Sequence, residues 1–310
     1  MVLALTLACA VALPSRSNET FVDQAINRQT IQHMRAGSGY YAAMARSLSD
    51  NRESASSVRA FREPTLFLFW RALPSQTWVW WAFCAMVAAV GLILLRATSA
   101  PLVVPLVVLY LLRVGRPIHD GVLFDQYLIT ELWVALPVAA LVLARSRRRE
   151  GWAALAGFVA TVTRETAVVL LIGGLIAAVA GRRRIRPWLT ALVALLPAAV
   201  AHAALASRHL VAHGSQARLL GTGGVGRVVS MGAVGLPDHA VALALWVLAL
   251  LRLARDRDLA LQMSGLVALP LLGLMVGRDY WGFLVVPFIV LWAGEGVDQL
   301  VRSRTPTPSV

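Results

Sequence analysis

Apolar residues along this chain come in uninterrupted blocks rather than at the alternation of a strand or the three-to-four spacing of a half-buried helix. From Ala72 to Leu95 there are 24 residues without a charge, enough for a helix to cross a hydrocarbon core about 30 Å thick. Similar blocks recur to the C-terminus. They predict helical spans at roughly 2–14, 75–95, 98–113, 126–144, 187–206, 238–252, 259–277 and 280–297, with a pair of shorter helices between 151 and 180. The expected fold is an all-α, polytopic transmembrane bundle of about ten spans. It reads as a single integral membrane domain over 1–310. Residues 1–14 form a first span or signal anchor, 15–74 an extracytoplasmic loop, 75–301 the multi-span bundle and 302–310 a cytoplasmic tail.

Charge adds direction. Every Lys-or-Arg position is Arg, 29 in all, and thirteen of them cluster in short turns: Arg145 and Arg147 to Arg149, Arg182 to Arg184 with Arg186, Arg252 with Arg255 and Arg257, and Arg302 with Arg304. Short basic loops stay on the cytoplasmic side, so each stretch between clusters crosses an even number of times. For Gly151–Gly181 one long helix breaks that parity and two short ones keep it. The tip Thr163-Arg164-Glu165-Thr166 then lies at the opposite, extracytoplasmic face, and both termini are cytoplasmic.

Composition agrees. The hydrophobic fraction is 58%, the charged fraction 15% and the mean hydropathy +0.68, too little charge to coat a soluble domain. The net charge of +13 sits in loops between apolar spans, which excludes nucleic acid as a partner and points to membrane lipid. Cys9 and Cys84 lie in apolar stretches with no disulfide or metal spacing.

The one long polar segment is Ser15–Pro74. Thr20 to Asp23 has the spacing of a capping box; Ile26, Ile31 and Met34, then Tyr40, Met44 and Leu48, recur at helical intervals, as two interfacial helices with aromatic anchors require. Glu19 and Asp23 stand four apart and share a helix face. Arg164 within an apolar hairpin is costly; adjacent residues do not face each other on a helix, so its expected partner is a substrate phosphate or a carboxylate from another helix, not Glu165. Glu131, inside a span, is expected to face protein or water. Arg278, Asp279, Tyr280 and Trp281 open the last span, and His119, Asp120 and Asp125 crowd an outer loop. His202 reads as a packed interhelical group. Gly221 to Gly226 matches G-x-G-x-x-G without the strand that motif needs, and reads as an outer loop.

Arg35-Ala-Gly-Ser-Gly-Tyr40-Tyr41, then Phe61-Arg62-Glu63-Pro64-Thr65-Leu66, resembles the "G-x-YY … R-x-PTL" run in the first loop of some bacterial GT-C membrane glycosyltransferases. Thr163-Arg164-Glu165-Thr166-Ala167 resembles the "L-T-R" turn between two short helices in that superfamily. The layout is similar too: one span, a long outer loop with an acid close behind it, then many spans. The resemblance implies transfer of a sugar, hexosyl or pentosyl, from a polyprenyl-phosphate donor to a glycan or lipid acceptor on the outer face of a bacterial cytoplasmic membrane. It implies Asp23, with Glu19, as the catalytic acids and Arg164, Arg278 and Arg62 as groups for the donor phosphate. Glu165, Tyr40, Tyr41, His119, Asp120, Asp279 and Tyr280 are further candidates. No metal ligands are assigned, although a divalent metal is an open cofactor. The competing readings are a transporter or lipid flippase, against which no second copy of the broken hairpin is found, and a non-catalytic membrane scaffold.

Overall fold

The computed structural model describes residues 20–53, 61–115, 118–119, 122–123, 126–210, 239–265 and 282–302. Among them the protein is all-helical, apart from one two-residue antiparallel pairing, Ile118–His119 with Val122–Leu123. Three short helices come first: α1 (Thr20–Arg35), α2 (Tyr40–Asp50) and α3 (Thr65–Ala72). The bundle follows with α4 (Gln76–Ala97), α5 (Val104–Gly115), α6 (Thr130–Trp133), α7 (Ala135–Ser146), α8 (Glu150–Thr163), α9 (Val168–Ala180), α10 (Arg186–Ser207), α11 (His239–Ala254) and α12 (Gly282–Arg302). A further helical segment covers 257–265. The expected span at 2–14 lies outside the described residues, as does most of that at 259–277.

Three helices are long and apolar enough to cross a membrane, Gln76–Ala97, Arg186–Ser207 and Leu284–Arg302, and shorter apolar helices cover Pro101–Gly115, Glu165–Ala180 and Ala240–Ala254. Burial reinforces the membrane reading. Helix α10 bares Leu189, Val193, Leu196 and Val200, one stripe at helical spacing that water would penalise and acyl chains would not.

The expected hairpin is present as two short helices, α8 and α9, separated by Arg164 and a 3-10 turn, Glu165–Ala167. The expected span 126–144 is instead broken into a 3-10 turn, Gln126–Leu128, then α6 and α7. The polar pair Thr130-Glu131 opens α6, just after the 126–128 turn.

Small residues bring helices together. A Cβ on Gly173 would strike the backbone carbonyl of Gln262, and one on Gly174 the Trp188 indole. A backbone oxygen cannot rotate away, so Gly173→Ala is expected to cost about 1–3 kcal/mol by overpacking. Its unfolding midpoint in detergent should fall clearly; an unchanged midpoint would contradict the close crossing of α9 and the 257–265 segment.

The first three helices are not a loose outer loop. Helix α1 packs against α2, α3 and the 126–128 turn, and α3 against α8. The apolar faces expected from spacing are buried: Ile26, Ile31 and Met34 on α1, and Tyr40, Met44 and Leu48 on α2. Gly37, at φ +100, ends α1 with Ser38 N donating to the His33 carbonyl at 3.0 Å, a left-handed turn that glycine makes without strain. Between Asp50 and Phe61 only Asn51, Arg52 and Glu53 are described, and α3 is a helix the sequence pattern did not predict.

The arginine clusters converge at one end of the bundle, around a cavity of about 1210 Å³ lined by residues of the 145–152, 181–187 and 252–259 turns and by α12. Arg183 reaches Glu150 at 2.9 Å and Asp258 at 2.8 Å, and Arg252 reaches Glu295 at 3.2 Å. Glu295 also accepts from Thr98 at 2.7 Å. The hairpin tip and α1 to α3 sit at the other end.

Candidate functional site

At the end opposite the arginine clusters, charge collects around Glu131. Arg164 ends α8 in extended backbone, φ −151 and ψ 117. Its Nε lies 2.7 Å from Glu131 Oε1, a close ion pair off the line of a hydrogen bond, and both side chains are almost wholly buried, at 4% and 2% exposed. Arg164 Nη1 donates to Glu165 at 2.7 Å. This corrects the expectation that Glu165 is no partner for Arg164: the helical argument against adjacent side chains lapses once the backbone is extended. Glu131, also paired with Arg164, is the expected carboxylate from another helix. Arg62 approaches the same Glu131 oxygen at 3.8 Å, and Thr130 donates to the other at 3.0 Å.

The aromatic pair from the first loop frames this cluster. Tyr40 donates to the Arg62 carbonyl, packs edge-on to Tyr41 and against Phe67, and so fixes the turn from which Arg62 projects. Tyr41 OH meets His202 Nδ1 at 3.0 Å, and His202 Nε2 lies 3.2 Å from the Phe61 carbonyl, as expected of a packed interhelical histidine. Burial raises Tyr40 well above the ordinary phenol value, opposed in part by Arg62, and raises Tyr41, with Glu63 adding to the effect. Both phenols therefore act as neutral hydrogen-bonding groups.

Glu63, quoted within a motif but not selected from the sequence, joins the site. Burial raises its carboxyl above the usual range; His202 lowers it and Glu165 raises it further. A carboxyl whose folded value exceeds its unfolded value costs stability above the folded value, and that cost vanishes as pH falls below the unfolded value. Glu63→Gln is therefore expected to raise the unfolding midpoint over wild type at neutral pH and to leave it unchanged near pH 4. An equal gain at both pH values would show that titration of Glu63 is not the cause.

Helix α1 carries Asp23 and brings a polar stripe to the same end. Gln24, Asn27 and Thr30 are all buried, a stripe at three-residue spacing that reads in sequence as an ordinary polar helix surface. Asn27 Nδ2 donates to the Leu128 carbonyl at 2.8 Å, three residues before Glu131, and Asp23 lies one turn earlier on α1. Both amide atoms of Gln24, 1% exposed, have no hydrogen-bond partner.

Of the expected site residues, Arg62, Arg164, Glu165, Tyr40 and Tyr41 come together. Asp23 is placed by its helix at the same end, and His119 lies in the two-residue pairing nearby in sequence. Glu19, Asp120, Arg278, Asp279 and Tyr280 lie outside the described residues, as do Trp281, Asp125 and the Gly221–Gly226 run. Among the described residues, no three of His, Cys, Asp and Glu meet in a way that could hold a metal ion. No protein-family model, curated protein or solved structure matches the chain.

Proposed function

We propose that this protein is a membrane glycosyltransferase of GT-C type, moving a sugar from a polyprenyl-phosphate donor to a glycan or lipid acceptor at the extracytoplasmic face of a bacterial cytoplasmic membrane. A multi-span bundle of about ten crossings with cytoplasmic termini is part of the reading. The observation that supports it is the convergence of Arg62 and Arg164 on Glu131, beside the end of the bundle to which α1 brings Asp23. These arginines are far apart in sequence and both belong to runs that resemble the superfamily.

The chemistry follows from that arrangement. The acceptor oxygen forms a bond to the anomeric carbon while the bond from that carbon to the phosphate oxygen breaks, and the leaving phosphate departs with the electron pair. Asp23 takes the acceptor proton. Arg164 is held rigid by Glu131, and its second ion pair is to Glu165, which is 47% exposed. A donor phosphate replaces that half-exposed carboxylate more easily than it replaces buried Glu131, and the arginine then stabilises the charge developing on the leaving group. Arg62 and Arg278 are its proposed companions. Gln24 supplies an unpaired buried amide, a group that costs about 1–3 kcal/mol when unsatisfied and that a sugar hydroxyl would satisfy.

Purified protein in liposomes should release polyprenyl phosphate from a polyprenyl-phosphate sugar when given acceptor-bearing lipid. A panel of hexosyl and pentosyl donors, each left intact, would overturn the reading and favour a transporter or scaffold.

A further inference from the structure

The cavity among the arginine turns lies at the end remote from the proposed chemistry and has no part in it. Seven arginines and four carboxylates line it, an excess of three positive charges. The carboxylates are already used. Glu150 and Asp258 pair with Arg183, Asp256 and Glu295 with Arg252, and Arg145 also reaches Asp258. Arg148 and Arg149 on the turn after α7, and Arg182 and Arg184 on the turn after α9, are exposed and pair with no acid among the described residues. Two turns therefore each offer two unneutralised guanidinium forks to one space.

The backbone sharpens the point. Arg148 and Arg182 occupy the left-handed region, φ 55 and φ 51. Each ends its helix with the bond pattern that glycine makes without strain, Arg149 N to the Ala144 carbonyl and Arg183 N to the Ala178 carbonyl, both at 2.8 Å. Arginine sits where glycine would be more stable on both turns, as Arg52 at φ 57 also does at the end of α2, away from the cavity.

The surroundings favour a lipid over a soluble anion. Trp152 is exposed at the cavity rim, and Leu155 and Val159 continue from it along one face of α8, both exposed. A phospholipid with its phosphate in the cavity could lay its acyl chains on this bare apolar face, which a free nucleotide has no use for. Basic pockets at helix ends hold anionic headgroups in this way, and arginine forks match phosphate oxygens.

We infer that this cavity binds the headgroup of an acidic phospholipid carrying two phosphates, one at each arginine turn. The experiment compares purified wild-type protein with Arg148→Gly/Arg182→Gly and with Arg149→Gln/Arg184→Gln, leaving Arg147 and Arg186 to keep the loops positive. Retention of cardiolipin is measured in phosphatidylcholine nanodiscs, with inorganic pyrophosphate as competitor. At roughly fivefold per arginine near an anionic lipid, each double variant should bind cardiolipin about 25-fold more weakly. The glycine variant should hold or raise its unfolding midpoint, so loss of binding there is not loss of fold. Equal retention by wild type and both variants overturns the site. Binding of pyrophosphate without preference for cardiolipin over phosphatidylcholine overturns the lipid as its occupant.

Discussion

Glu131→Ala is expected to destabilise the protein by about 3–5 kcal/mol, the range for removing one partner of a buried ion pair. Glu131 reaches both Arg164, 4% exposed, and Arg62. Deleting it takes from Arg164 the buried carboxylate at 2.7 Å, the Glu165 partner being half exposed, and takes from Arg62 a carboxylate that it meets at 3.8 Å. The cost comes from stranding buried charge, so it should shrink when the charge is removed as well. Arg164→Met in the Glu131→Ala background should recover part of the loss, and the two single changes should add up to more than the double. The measurement is the unfolding midpoint of all four proteins in one detergent. Strict additivity would mean that Glu131 and Arg164 are not coupled, and the arrangement proposed for the site would fall with it.

That prediction rests on a contact the sequence did not disclose. Some of the helices were legible because they depend on local quantities: the uncharged run from Ala72 to Leu95 became α4, and Gly151–Gly181 split into α8 and α9. Apolar spacing found the buried faces of α1 and α2. The polar stripe Gln24, Asn27 and Thr30 was invisible for the opposite reason, since nothing in its spacing distinguishes a buried polar face from a wet one. Glu131 was recognised as a residue that needs cover, yet its partner lies 33 positions away on another helix, and pairing at that distance is a property of packing. The Arg164–Glu165 pair was misjudged because it depends on one extended residue between two helices. The left-handed arginines were hidden as well: a sequence rule expects glycine at a helix C-terminus, and Arg52, Arg148 and Arg182 take that conformation against it.

The largest functional effect is expected at Asp23. Asp23→Asn keeps the side chain's shape and its place on α1 while removing the proton acceptor, so transfer from a polyprenyl-phosphate sugar should fall by about 10²–10⁴-fold, the usual contribution of a positioned general base. At the middle of that range the barrier rises by about 4 kcal/mol. Stability should change by no more than about 0.5 kcal/mol, as for a near-isosteric substitution. Glu19→Gln separates the two acids: Asp23 belongs to the helix that Asn27 ties to Leu128, so the loss should be concentrated at Asp23, with Glu19→Gln retaining most of the activity. Arg164→Gln should also lose transfer, but with a fall in unfolding midpoint, because it abandons Glu131. An Asp23→Asn protein that turns over normally would remove Asp23 from the chemistry, and Glu63, half-buried with its carboxyl held above the usual range beside His202, would then be the base to test.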